Sequence, residues 1–99
     1  MPASTSPAES ALFRFIPALR GVVPWRPLGR WPTPVHELQI PSCGHSVYLK
    51  REDLSSPLYG GNKVRTLEGH FGAAQAAGAT EVWSSGAFGS NHATAATLH

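Results

Sequence analysis

Gly60-Gly61-Asn62-Lys63-Val64-Arg65 places a lysine just behind two glycines, where an extended segment gives way to a helical pattern. These residue types at this spacing suit a lysine that forms a Schiff base with a flat, anionic cofactor. Glycines carry no Cβ, so a ring can approach the backbone closely. A helix N-terminus presents free N–H groups and a partial positive charge. That charge disfavours a second one on Lys63 and so favours the neutral, nucleophilic amine. The same residues also fit a plain Gly-Gly turn leading into a solvated helix, and spacing alone leaves both readings open.

Further pieces lie on either side. Leu49-Lys50-Arg51-Glu52-Asp53-Leu54 precedes the glycines, Arg65-Thr66-Leu67-Glu68 follows Lys63, and Ser90-Asn91-His92 comes later. Together they resemble the pyridoxal 5'-phosphate (PLP) enzymes of the 1-aminocyclopropane-1-carboxylate deaminase and D-cysteine desulfhydrase family. In that family a K-R-E-D segment leads to G-G-N-K-x-R-K-L-E and then to G-A-x-x-S-N-[HQ]. The resemblance runs from about residue 30 to residue 99, and its specificity comes from three pieces in the right order and spacing. Thr66 stands where the family usually has lysine, Gly69 where an aromatic is common, and Ala93-Thr94 where an arginine often follows. Those departures bear on the substrate more than on the cofactor.

The resemblance implies roles residue by residue. Lys63 is the Schiff-base lysine and later carries protons; Asn62 stands beside it in the cofactor-binding set. Asn91 is expected to hydrogen-bond the cofactor's phenolic oxygen, since an amide can donate to a phenolate. Its alternative is ordinary first-turn capping. Ser90 either caps the second helix, contacts the substrate carboxylate, or does both. His92 faces the cofactor ring or shuttles a proton, though the family carries His or Gln here, so an acid-base role is not required. The implied substrate is a small amino acid, and full-length relatives are expected to be homodimers.

These residues need elements to hold them. Val64, Leu67, Phe71, Ala74 and Gly78 recur at helical spacing, which predicts a helix over 62–77 with Asn62 as N-cap and Gly78 as stop. Ser46–Lys50 alternates and is rich in strand formers, Glu81–Ser85 reads as a second strand, and Ser90 caps a helix reaching His99. Val35–Ile40 suits a short strand or a helical turn. Strand, helix, strand, helix is the pattern of a parallel α/β sheet. Both helix N-termini, with Lys63 and Ser90-Asn91-His92, would then meet at the carboxyl edge of the sheet, where ligands of such sheets gather. The expected fold is α/β, the N-terminal part of a parallel-sheet, tryptophan synthase beta-like PLP enzyme, incomplete in this chain because two strands cannot form a stable parallel sheet.

Upstream, residues 1–10 read as a small, polar, disordered tail and 11–45 as a Pro-rich extended arm anchored by Trp25 and Trp31. Six of the nine prolines fall between 11 and 41, which forbids a long helix there. Residues 46–99 form the partial α/β domain. Of the 99 residues, 41% are hydrophobic and 14% charged, a balance that suits a folded chain. The net charge of +2 is spread thinly, which argues against a nucleic-acid partner. No apolar run approaches membrane-spanning length, and the single Cys43 fits a reducing compartment, so the cytoplasm is expected. His36, Cys43 and His45 match no metal pattern, and no metal is expected. Glu52 and Asp53 are adjacent on an extended segment and should point apart rather than share a site. Two functions follow as expectations: part of a PLP-dependent lyase or deaminase yielding a 2-oxo acid and ammonia, or a catalytically silent fragment acting as an interaction module.

Overall fold

The structure is a computed structural model that describes residues 10–99. Its elements are α1 (Ala11–Phe15), β1 (Val35–Leu38), β2 (Val47–Lys50), α2 (Lys63–Ala76) and α3 (Asn91–Leu98), with 3₁₀ turns at Pro17–Leu19 and Glu52–Leu54. The tail expected over 1–10 lies outside the described residues except for Ser10, whose hydroxyl caps α1 by accepting from the Leu12 N–H. The arm is not extended throughout. Residues 11–16 contain no proline and wind into α1, and Pro17 opens the first 3₁₀ turn, where its missing N–H leaves no bond unmade.

The sheet differs from the parallel arrangement expected. β1 and β2 pair antiparallel, with Val35 opposite Lys50, His36 opposite Leu49, Glu37 opposite Tyr48 and Leu38 opposite Val47. Residues 81–85 form no strand with any described residue. The physical reason is local. The short link over 39–46 lets β1 fold straight back on β2 as a hairpin, whereas a parallel pair needs a long crossover and cover on both faces.

Helix α2 begins at Lys63 and buries Val64, Leu67, Glu68 and Gly72. It stops as expected at Gly78. This residue takes φ +78° and completes a Schellman turn, with its N–H on Gln75 O (3.0 Å) and the Ala79 N–H on Ala74 O (3.0 Å). Asn62 occupies the N-cap position but makes no side-chain capping bond. Its dihedrals (φ −71°, ψ −14°) are already helical, so the side chain is not turned back towards the first free N–H groups as an extended N-cap's would be. Ser90 does cap α3, accepting from the Ala93 N–H at 3.2 Å.

The apolar core is small: Phe13, Trp31, Val64, Leu67 and Ala95 are buried, and Phe13 meets Trp25 edge-on at 5.3 Å between ring centroids. Val82 and Trp83, by contrast, are 55% and 87% exposed. Among the described residues, no helix is long and apolar enough to cross a membrane.

Candidate functional site

The turn ahead of Lys63 is held from inside. A Cβ on Gly60 would fall on the Asp53 carbonyl, and Gly61 takes φ +114°, a conformation that favours glycine. The Gly61 N–H donates to Glu52 O (2.9 Å) and to Ser55 Oγ (3.2 Å). The Ser55 hydroxyl donates in turn to Gly61 O (3.0 Å). Ser55 is fully buried, so this peptide cannot swing into solvent without leaving its partners unsatisfied.

One turn into α2, Arg65 fixes the helix to the same loop. It donates from Nε to Glu52 Oε2 (2.6 Å) and from Nη2 to Glu52 Oε1 (3.0 Å). Its guanidinium lies 4.0 Å over the Trp31 ring centroid. The Arg65 hydrogen bond holds the Glu52 carboxyl below its ordinary value against partial burial, and Thr33 assists. Asp53, next in sequence, turns the other way and pairs with Arg51 at 2.7 Å. Glu52 and Asp53 therefore point apart, although they sit on a 3₁₀ turn rather than on the extended segment expected.

Glu68 joins α2 to the arm. Its carboxylate is buried and accepts four N–H bonds: from Trp25 Nε1 at 2.8 Å, Leu28 N at 2.8 Å, Gly29 N at 2.9 Å and Trp31 Nε1 at 2.9 Å. Trp25 and Trp31 do anchor the arm, but through this charge as well as through apolar contact. Trp25 also fills the space above Gly69, where an added Cβ would meet its ring at 3.2 Å.

On this support, Tyr59, Gly60, Gly61, Asn62, Lys63 and Asn91 line one cleft of about 110 Å³. Lys63 and Asn91 are thus brought together, although no parallel sheet forms among the described residues to do so; packing of α2 against α3 does it instead. The Tyr59 hydroxyl donates to Asn91 Oδ1 at 3.3 Å. Ser90 and His92 are not among the residues that line this cleft. The Ser90 hydroxyl is engaged at its cap, and His92 lines the neighbouring groove with Leu67, Phe71 and Trp83. His36 and Cys43 turn to separate partners, Arg51 and the His45 carbonyl. Among the described residues no cluster of three or more His, Cys, Asp or Glu gathers.

An amine, an amide and a phenol on the rim of a glycine-floored cleft match the chemistry of a carbonyl-bearing aromatic ring with an anionic oxygen. A cavity of about 150 Å³ accommodates a benzene ring, so 110 Å³ open to solvent takes in part of such a ring. The residues present therefore fit the reactive edge of PLP. Sequence reasoning missed Tyr59, Ser55 and the anchoring part of Glu68. For Glu68 a signal existed: an acidic residue falls on the apolar stripe, four positions after Val64.

Comparison with known proteins bears on the same region. The chain is 47% identical over 79 residues to "Nocardicin C-9' epimerase" of Nocardia uniformis, a match covering 80% of this chain and 24% of that protein. It is 46% identical over 65 residues to "Putative 1-aminocyclopropane-1-carboxylate deaminase" of Pyrococcus horikoshii, covering 64% of this chain and 20% of the relative. A protein of the same printed name from Thermotoga maritima is 44% identical over 66 residues, 65% of this chain and 21% of its own length. The chain thus spans a fifth to a quarter of the curated relatives it matches. No family model and no solved structure matches it.

Proposed function

We propose that this chain carries the lysine-bearing part of a PLP-dependent enzyme that acts on a small amino acid, releasing ammonia and a 2-oxo acid by deamination or β-elimination. The observation that supports it most is that Lys63 and Asn91, far apart in sequence, line one glycine-floored cleft. Relatives named as 1-aminocyclopropane-1-carboxylate deaminases match over about two thirds of the chain. PLP, when bound, supplies an electron sink that weakens the bonds at the substrate's Cα.

The chain's own residues do the rest. Lys63 would hold the cofactor through Nζ and, once freed by the substrate amine, would hold or move a proton at a reacting carbon of the substrate. Asn91, from the cleft lining, would donate to the cofactor's phenolic oxygen, and Asn62 would help hold the cofactor there. Ser90 accepts from Ala93 yet keeps its own proton to donate, so a substrate carboxylate at the α3 N-terminus suits it. His92 lines the adjoining groove.

A second reading is favoured by the epimerase match, which covers more of this chain than the deaminase matches do. In that reading the Cα proton is removed and returned on the other face, with no loss of nitrogen. Both readings need Lys63 as the proton carrier. Incubating the intact protein and PLP with 1-aminocyclopropane-1-carboxylate, D-cysteine and a panel of chiral amino acids tests them. Ammonia supports the first and stereochemical inversion the second, each lost in Lys63→Ala and kept in Lys50→Ala. Neither product above the Lys63→Ala background would overturn the proposal.

A further inference from the structure

We infer that Tyr59 is a positioning residue whose hydroxyl sets the polarity of the Asn91 amide, so that the cleft receives N–H donors and selects an acceptor oxygen. The inference rests on the functional reading above and deepens it.

Tyr59 is fixed before Asn91 is. The His99 ring donates from Nε2 to the Tyr59 carbonyl at 3.0 Å. The preceding N–H, of Leu58, donates to Ser56 Oγ at 3.1 Å, with Ser56 buried. Tyr59 therefore bridges both ends of α3, by its carbonyl at His99 and by its hydroxyl at Asn91. Asn91 itself is exposed, and the phenol is its side-chain partner among the described residues.

An amide side chain carries one acceptor oxygen and two donor hydrogens on nitrogen. With Oδ1 occupied by the Tyr59 O–H, Nδ2 is the atom left to meet a ligand. A free amide offers either end, whereas this one is poised to donate. The ligand it suits presents an anionic ring oxygen, and a hydroxyl or ammonium donor in that place would meet like polarity. Tyr59 also walls the cleft, so its ring and its hydroxyl act separately and can be separated by mutation.

The test uses the intact protein in two states. Without cofactor, Tyr59→Phe should move the side-chain amide NMR resonances of Asn91 while the other amide signals keep their pattern. With PLP, Tyr59→Phe should weaken binding roughly 3- to 10-fold, the value of one neutral hydrogen bond, and should have no further effect in an Asn91→Ala background. Asn91→Asp keeps the acceptor for Tyr59 but removes the donors, and should lose at least about 10-fold, as a charged repulsive contact does. Unmoved Asn91 resonances in Tyr59→Phe would overturn the inference, as would an equal loss in the Asn91→Ala background or wild-type affinity in Asn91→Asp. Moved resonances in a protein that takes no PLP at Lys63 would uphold the Tyr59–Asn91 coupling and overturn the cofactor reading instead.

Discussion

The arm that docks on α2 and the segment between α2 and α3 both flank the same helix, and they are built in opposite ways. At the arm, a buried carboxylate is surrounded by four N–H donors, two of them indoles, and Gly72 lies so close to the Trp25 backbone that no side chain fits. Along 81–85 the chain has the residues of a strand but no ladder, and Trp83 stands 87% exposed. Polar closure, rather than apolar content, separates the two: Val82-Trp83 is as hydrophobic as anything in the arm, yet no described segment pairs with it as a strand. The cleft takes one wall from each side. Lys63 belongs to the closed half, behind Ser55 and Glu52, while Asn91 belongs to the open half and depends on Tyr59 for its orientation.

The comparison breaks most visibly at Glu68. Glu68→Ala leaves four N–H donors without their partner, one of them on the buried Trp31 and the rest part-buried, and should cost about 3–5 kcal/mol in denaturant unfolding. Glu81→Ala, on the open side and exposed, should change stability by no more than about 0.5 kcal/mol. Equal losses at the two positions would erase the distinction between the halves.

Gly60→Ala sharpens it at the turn ahead of Lys63. The new Cβ meets the Asp53 carbonyl, so the turn must shift, at a cost of about 1–3 kcal/mol and with weaker cofactor uptake at Lys63. Gly44→Ala is the matched control, since nothing lies within 4 Å of its added Cβ. It should leave both thermal midpoint and cofactor uptake unchanged.

The smallest effect is on pH dependence. Glu52 has its carboxyl held below the ordinary 4.5 by the Arg65 hydrogen bond, so in that range the unfolded state binds more protons than the folded one. Its stabilising contribution is complete above about pH 4.5 and is lost as pH falls through the lower folded value. With Arg65 about a third exposed, the size is at most about 1 kcal/mol. Stability measured against pH should show a shallower acid limb in Glu52→Gln than in the unmodified protein.

The elements that carry the cleft were legible because their signals are local. The stripe from Val64 to Ala74 and the stop at Gly78 mark α2, and Ser90 marks the start of α3. The strand at 47–50 was equally plain, but alternation says only that a segment is a strand and not which partner it finds. That choice fell to Val35–Leu38 across a short link. Val82-Trp83 shows the converse, a strand-like run that no described segment pairs with. Glu68 binds indoles 43 and 37 positions away, and no local pattern encodes such a pairing. Tyr59 was hidden for a similar reason: its hydroxyl meets Asn91 across 32 positions, and before a Gly-Gly turn it reads simply as an aromatic.

The central claim is that Lys63 is the amine that takes up the cofactor's aldehyde. The chain has two lysines, Lys50 and Lys63, and Lys50 Nζ is engaged with the Thr33 carbonyl at 3.2 Å. Treating the intact protein with stoichiometric PLP, reducing with borohydride and mapping the peptides by mass spectrometry distinguishes them directly. The pyridoxyl mass should fall on the peptide carrying Lys63, with Lys50 unmodified. Equal labelling of both lysines, or label on Lys50 alone, would contradict it.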